Sequence, residues 1–116
     1  MEKELIFEGE YLKGKRWNGK ETDYFYPLRI ESEYLNGERN GKAKEYDENG
    51  ELKFEGEYLY GYKRRGKEYI EGKLEFEGEY CNGKRNGKGK EYYWNGKLKY
   101  EGEYLNGKRN GKGKEY

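Results

Sequence analysis

The chain has 116 residues, 42% of them charged, and its 25 Lys and Arg against 24 Asp and Glu leave a net charge of only +1. Leu, Ile, Val and Phe number 16, too few for an aliphatic core, but 15 Tyr, 4 Phe and 2 Trp supply ring area and the two signs of charge can pair, which excludes a disordered polyelectrolyte. With no histidine, one cysteine, Ser32 and Thr22, almost nothing can be poised for catalysis, and no apolar run is long enough to cross a bilayer.

From the N-terminus onward, one five-residue phrase returns: Phe7-Glu-Gly-Glu-Tyr11, Ile30-Glu-Ser-Glu-Tyr34, Phe54-Glu-Gly-Glu-Tyr58, Phe76-Glu-Gly-Glu-Tyr80 and Tyr100-Glu-Gly-Glu-Tyr104. The steps of 23, 24, 22 and 24 residues are those of a solenoid-like array in which neighbours complete each other's core. One array spans residues 1–116, with units near 7–29, 30–53, 54–75, 76–99 and an incomplete 100–116. Unit 1 departs most, with Trp17 inserted and Tyr24-Phe-Tyr-Pro-Leu28 in place of the usual turn. The opening Met1-Glu-Lys-Glu-Leu-Ile6 lacks the basic start and apolar stretch of a signal peptide, and one cysteine cannot form an internal disulfide. The expected compartment is the cytoplasm, free or at the periphery of a membrane.

Within a unit, apolar and charged residues alternate with period two, which predicts strands with one wet face. Asn-Gly occurs nine times and marks hairpin turns. Two-residue turns at Asn49-Gly50 and Asn95-Gly96 place Lys44 opposite Glu55, Lys42 opposite Glu57, Lys90 opposite Glu101, Lys88 opposite Glu103 and Tyr93 opposite Leu98. In the short unit 3, a three-residue turn Glu71-Gly72-Lys73 sets Ile70 against Leu74, Lys67 against Glu77 and Arg65 against Glu79. On the other side, a longer connection Cys81–Asn86 sets Glu79 against Lys88 and Glu77 against Lys90. The expected fold is all-β: a single-layer antiparallel meander of about five β-hairpins forming an elongated twisted ribbon. At about 4.8 Å per strand it extends on the order of 45 Å.

The inner face then carries Phe7, Ile30, Phe54, Phe76 and Tyr100 in one row and Tyr11, Tyr34, Tyr58, Tyr80 and Tyr104 in another. Between them runs a lane of small residues: Gly9, Ser32, Gly56, Gly78 and Gly102, joined by Ala43, Gly66, Gly89 and Gly113. Either rings lie over the lane or it is a ligand groove formed by Phe54, Gly56, Tyr58, Phe76, Gly78, Tyr80, Tyr100, Gly102 and Tyr104. Strict alternation also puts Asp23, Glu45, Glu68, Glu91 and Glu115 on this apolar face and Tyr24, Tyr46, Tyr69, Tyr92 and Tyr116 on the other. A β-bulge in each strand would reverse that, and a cation-binding carboxylate row is the alternative.

The segment Tyr100-Glu-Gly-Glu-Tyr-Leu-Asn-Gly-Lys-Arg-Asn-Gly-Lys-Gly113 resembles the MORN repeat, whose pattern is Tyr-x-Gly-x-Trp/Tyr, then Asn-Gly, then His/Asn-Gly-x-Gly. The resemblance covers nearly the whole chain, and the joining segment 91–99 resembles the bacterial, antitoxin-like variant. It implies a non-catalytic scaffold or dimerisation module, with binding of anionic lipid or of a toxin partner as alternatives. The residues themselves point the same way. Cys81 stands where other units have Leu35, Leu59 and Leu105; Asp47-Glu-Asn-Gly50 lacks the downstream ligands of a calcium loop; no catalytic residue, metal site or cofactor is expected. A basic ridge on the longer connections, with Arg16, Arg39, Arg64, Arg65, Lys84, Arg85, Lys108 and Arg109, could meet an anionic membrane surface. The expected partners are a protein or a second copy of the chain, with nucleic acid disfavoured by the near-neutral charge. Charged side chains on the two edge strands are expected to discourage filament growth.

Overall fold

The computed structural model describes residues 4–25 and 28–116; Tyr26 and Pro27, in the atypical joint of unit 1, lie outside them. The strands are β1 (Phe7–Leu12), β2 (Lys15–Phe25), β3 (Leu28–Leu35), β4 (Glu38–Tyr46), β5 (Leu52–Leu59), β6 (Tyr62–Ile70), β7 (Lys73–Cys81), β8 (Lys84–Tyr92), β9 (Leu98–Leu105) and β10 (Lys108–Glu115). They form one antiparallel sheet in strict sequence order, and its longest dimension is 50 Å. The meander predicted from alternation is the fold.

The predicted register holds at the strand centres. Lys44 faces Glu55 and Lys42 faces Glu57, Lys67 faces Glu77 and Arg65 faces Glu79, Glu77 faces Lys90, and Lys88 and Lys90 face Glu103 and Glu101. The connections differ from expectation. Asn95-Gly96 is not a two-residue turn: Tyr93 and Lys97 close a three-residue loop, in which Gly96 N–H donates to the Tyr93 carbonyl at 2.9 Å. Gly96 has φ 87°, the left-handed conformation that a three-residue hairpin requires at its last position. Tyr92, not Tyr93, therefore faces Leu98, and Lys99 is left over as a bulge that restores the expected pairing at Glu91 and Tyr100. Asp47 and Glu51 close the same loop. Two one-residue irregularities cancel, so a wrong turn gave a right register.

Unit 3 is corrected in the opposite sense. Glu71 (φ 50°) and Gly72 (φ 77°) make a two-residue turn, so Ile70 faces Lys73 and Tyr69 faces Leu74, with Glu75 as the extra residue. On the other edge, Cys81 faces Lys84 across a tight Asn82-Gly83 turn, and the surplus residues form a bulge around Asn86 and Gly87. The predicted long connection is thus a short turn followed by a bulge. In unit 3 that bulge shrinks to Arg64 alone, as it does to Trp17 in unit 1. The two residues missing from unit 3 are removed one from a turn and one from a bulge.

The small-residue lane is continuous, with Gly56 beside Gly66, Gly66 beside Gly78, Gly78 beside Gly89 and Gly89 beside Gly102. Rings lie over it. A Cβ on Gly66 would stand 2.6 Å from Phe54 Cε1, and one on Gly89 2.6 Å from Phe76 Cε1 and 2.9 Å from Tyr104 Cε2. In units 3, 4 and 5 the ring thus covers that unit's own pair of glycines, and Phe76 is fully buried by doing so. Unit 2 has the aliphatic Ile30 instead of a ring, and its lane positions carry Ser32 and Ala43, both buried.

Gly89→Ala should therefore lower stability by about 1–3 kcal/mol through overpacking, measured by urea unfolding. The same change in a Phe76→Ile background should cost less, because the closer of the two colliding rings has gone and only Tyr104 must give way.

Candidate functional site

The inner-face carboxylates are not reversed by bulges. Alternation holds, and each of these acids except Glu115, which meets Arg109 of its own unit at 2.5 Å, is met by side chains of the following unit. Glu68, on β6, accepts hydrogen bonds from the Tyr80 hydroxyl at 2.6 Å and from Arg85 Nε and Nη2 at 3.0 and 3.1 Å. Glu91, on β8, accepts from the Tyr104 hydroxyl and from Arg109 Nε and Nη2 at 2.8 and 3.2 Å. Glu45 meets Lys63 Nζ at 2.9 Å. The cation also lies over its own unit's ring: Lys63 over Phe54 at 4.2 Å, Arg85 over Phe76 at 4.1 Å and Arg109 over Tyr100 at 4.2 Å. Carboxylate, phenol, cation and ring form one clamp, repeated at successive unit boundaries.

The first boundary is a variant. Glu21 faces Ser32, a lane position where later units have Ala or Gly. Its buried carboxylate meets Arg16 at 2.5 Å and Arg39 at 3.3 Å, while Arg39 also meets Asp23 at 2.9 Å. A second tie joins boundaries along the turn edge. Gly61 N–H donates to the Arg39 carbonyl at 2.9 Å and Gly107 N–H to the Arg85 carbonyl at 2.8 Å. The Asn18 and Asn86 side-chain oxygens accept from the Asn36 and Asn106 N–H groups.

Electrostatics follow the clamp. Burial, then the hydrogen bond to Glu68, raises the Tyr80 pKa; burial, then the hydrogen bond to Glu91, raises that of Tyr104. Burial, then the charge of Glu45, pushes Tyr58 up to about 12. Burial opposes ionisation of Glu68, yet hydrogen bonds from Arg85 and Tyr80 outweigh it and hold the pKa below the usual carboxylate value. The hydrogen bond from Arg109 does the same for Glu91.

The predicted groove residues do converge on one face, but Phe54, Tyr58, Phe76, Tyr100 and Tyr104 are buried there and their rings fill the lane. Of the predicted ridge, Arg16, Arg39, Arg85 and Arg109 are bound to carboxylates and Arg65 approaches Glu57 at 3.7 Å; Arg64, Lys84 and Lys108 are exposed. Among the described residues, no three of Cys, Asp and Glu come together as a metal ion would need. The clamp is what the sequence reading missed. Its signal was a Lys or Arg five or six residues before every inner-face acid from Glu45 onward.

The opposite face holds a concavity of about 1270 Å³. Its charges run in stripes by strand: Lys42 and Lys44 on β4, Glu55 and Glu57 on β5, Arg65 and Lys67 on β6, and so on to Lys112 and Lys114 on β10. Among the described residues, Arg65–Glu57 is the one cross-strand pair here that closes to within 4.0 Å. Tyrosines on this face bind the acids instead, Tyr69 to Glu55 at 2.6 Å, Tyr92 to Glu77 and Tyr116 to Glu101 at 2.8 Å.

Compared with known proteins, the chain matches the model of the MORN repeat over residues 31–51, 76–97 and 100–116. No curated protein matches it.

The clamp fixes the sign of the pH dependence. Tyr58, Tyr80 and Tyr104 hold their protons more tightly when folded, so their contribution is complete below about pH 10 and is lost as pH rises toward 12. The lowered pKa values of Glu68 and Glu91 give stability that is present above the ordinary carboxylate pKa and lost as pH falls beneath it. Urea midpoints should show a plateau between these limbs. Tyr80→Phe should lower the plateau by about 1–3 kcal/mol, because Glu68 loses a donor, and make the alkaline limb shallower.

Proposed function

The chain belongs to the MORN repeat family, and from that premise we propose that it is a non-catalytic structural and protein-interaction module whose binding surface is the striped concave face. Repeats of this family generally occur in such modules. One observation carries the choice of surface. The inner aromatics and carboxylates are spent on joining units, whereas the concavity of about 1270 Å³ is open and lined along seven strands, β4 to β10, by paired like charges. Stripes of alternating sign favour a protein segment with charges of both signs over a uniformly anionic partner. The membrane reading rests on the ridge, and five of its eight cations already face carboxylates. Among the described residues, no helix is long and apolar enough to cross a membrane.

Amine cross-linking of the protein in its native cells tests the choice of face. Adducts to other proteins should concentrate at Lys42, Lys44, Lys67, Lys88 and Lys90; adducts confined to Lys13, Lys84 and Lys108 would place the interface on the loops and overturn the reading. In flotation, vesicles of phosphatidylcholine with phosphatidylserine should recover no more protein than phosphatidylcholine alone. Salt-sensitive recovery that disappears in Arg64→Glu/Lys84→Glu/Lys108→Glu would favour the ridge instead.

A further inference from the structure

Of the nine Asn-Gly pairs, five lie at hairpin tips between strands: Asn36-Gly37, Asn49-Gly50, Asn82-Gly83, Asn95-Gly96 and Asn106-Gly107. An asparagine before glycine carries its own reaction, because no side chain shields the glycine nitrogen. That nitrogen attacks the asparagine Cγ and loses its proton to solvent, the bond from Cγ to the side-chain nitrogen breaks, and ammonia leaves. A five-membered succinimide closes. Water then adds at one of its two carbonyls and opens the ring, to aspartate or to isoaspartate. The attacking nitrogen has to be released from any hydrogen bond first.

Four of the five tips hold that nitrogen. Gly37 N–H donates to the Trp17 carbonyl at 2.9 Å, Gly107 N–H to that of Arg85 at 2.8 Å, Gly50 N–H to that of Asp47 at 3.0 Å and Gly96 N–H to that of Tyr93 at 2.9 Å. The backbone N–H groups of Asn36 and Asn106 are bound as well, to the side chains of Asn18 and Asn86. Among the described residues, neither kind of tie reaches the exposed Asn82-Gly83 turn. Its shape is the ordinary one, φ 51° and 79°, close to the 50° and 87° of Asn106-Gly107. The difference comes from the preceding unit. Trp17-Asn18 and Arg85-Asn86 supply both acceptors to the turn that follows them, whereas the bulge of β6 has shrunk to Arg64 and carries no asparagine.

We propose that Asn82 is a site of deamidation and isoaspartate formation, set apart from the other hairpin tips by the bulge that unit 3 lacks. The product acts on one clamp. Isoaspartate routes the main chain through the former side chain and lengthens the turn between Cys81 and Lys84 by one carbon. Tyr80 faces Arg85 immediately beyond that pair, and both hold Glu68. A longer turn shifts the two arms relative to each other, so the boundary between units 3 and 4 loosens as the protein ages. Aspartate at 82 leaves the backbone unchanged and the clamp in register. Neither product touches the concave face.

Ageing the 116-residue protein in mildly alkaline buffer, with peptide mass spectrometry at intervals, tests the site. Among the five hairpin-tip asparagines, Asn82 should deamidate first, up to about tenfold faster than Asn36 and Asn106, whose glycines must give up a hydrogen bond. Isoaspartate-specific methyl labelling should mark the same peptide. The urea midpoint of the aged protein should fall in proportion to isoaspartate at 82. Asn82→Gly, which keeps the positive φ, should lose less on ageing, and fresh Asn82→Asp should match unaged wild type because it gains the charge without the longer backbone. Equal rates at the five tips, or a faster reaction at any of the other four, overturn the site. A midpoint that falls as far in aged Asn82→Gly, or that already lies at the aged value in fresh Asn82→Asp, overturns the effect on the clamp.

Discussion

The array depends on a carboxylate of one unit being held by the phenol and cation of the next. A charged hydrogen bond of this kind contributes about 1.5–3 kcal/mol and an edge-to-face ring contact about 0.5–1.5 kcal/mol, so in a chain poor in aliphatics the clamp matches the apolar core of a unit in weight. It also couples units. Glu45 and Glu21 are buried, and a buried acid whose partner unit has melted would be left uncompensated. Loss of one unit therefore destabilises its N-terminal neighbour, which is the cooperativity that stacking repeats require.

The ring, the glycine and the cation form a second constraint within each unit. Phe76 can lie flat against the sheet only because Gly78 and Gly89 have no side chain, and Arg85 then covers the ring's other side at 4.1 Å. Unit 2 reads as the same rule with different volumes. Ile30 occupies the ring position, and a hydroxymethyl at Ser32 and a methyl at Ala43 occupy the lane. Ring size and lane size vary together, because the total volume between the backbone and the cation is fixed.

Strand order, the pairing of lysine with glutamate and the ring-covered lane were legible in the sequence because they depend on period two and on residue size. Turn shapes were not. Asn49-Gly50 and Asn82-Gly83 are the same dipeptide, yet one ends a three-residue loop and the other is a complete two-residue turn, since positive φ at glycine serves both. The error stayed hidden because Lys53 and Lys99 bulge to compensate. The clamp escaped for a different reason. Alternation placed Glu68 and Glu91 on the apolar face correctly, but acids there looked anomalous, since their partners Arg85 and Arg109 lie 17 and 18 residues away and the cations were assigned to loops. Arg39, Arg85 and Arg109 lie within strands β4, β8 and β10, two positions beyond the tight turns.

The clamp also gives the ribbon a direction. At each boundary the acid comes from the N-terminal unit, and the tyrosine and cation come from the C-terminal one, so the sheet has an acid-bearing end at β10 and a cation-bearing end at β1. The polarity is imposed by the same residues that bury the core, so it cannot be removed without loosening the units themselves. Along such a ribbon the charge stripes of the concave face keep a constant phase, one sign per strand, and a partner lying across it meets the same surface at every second strand.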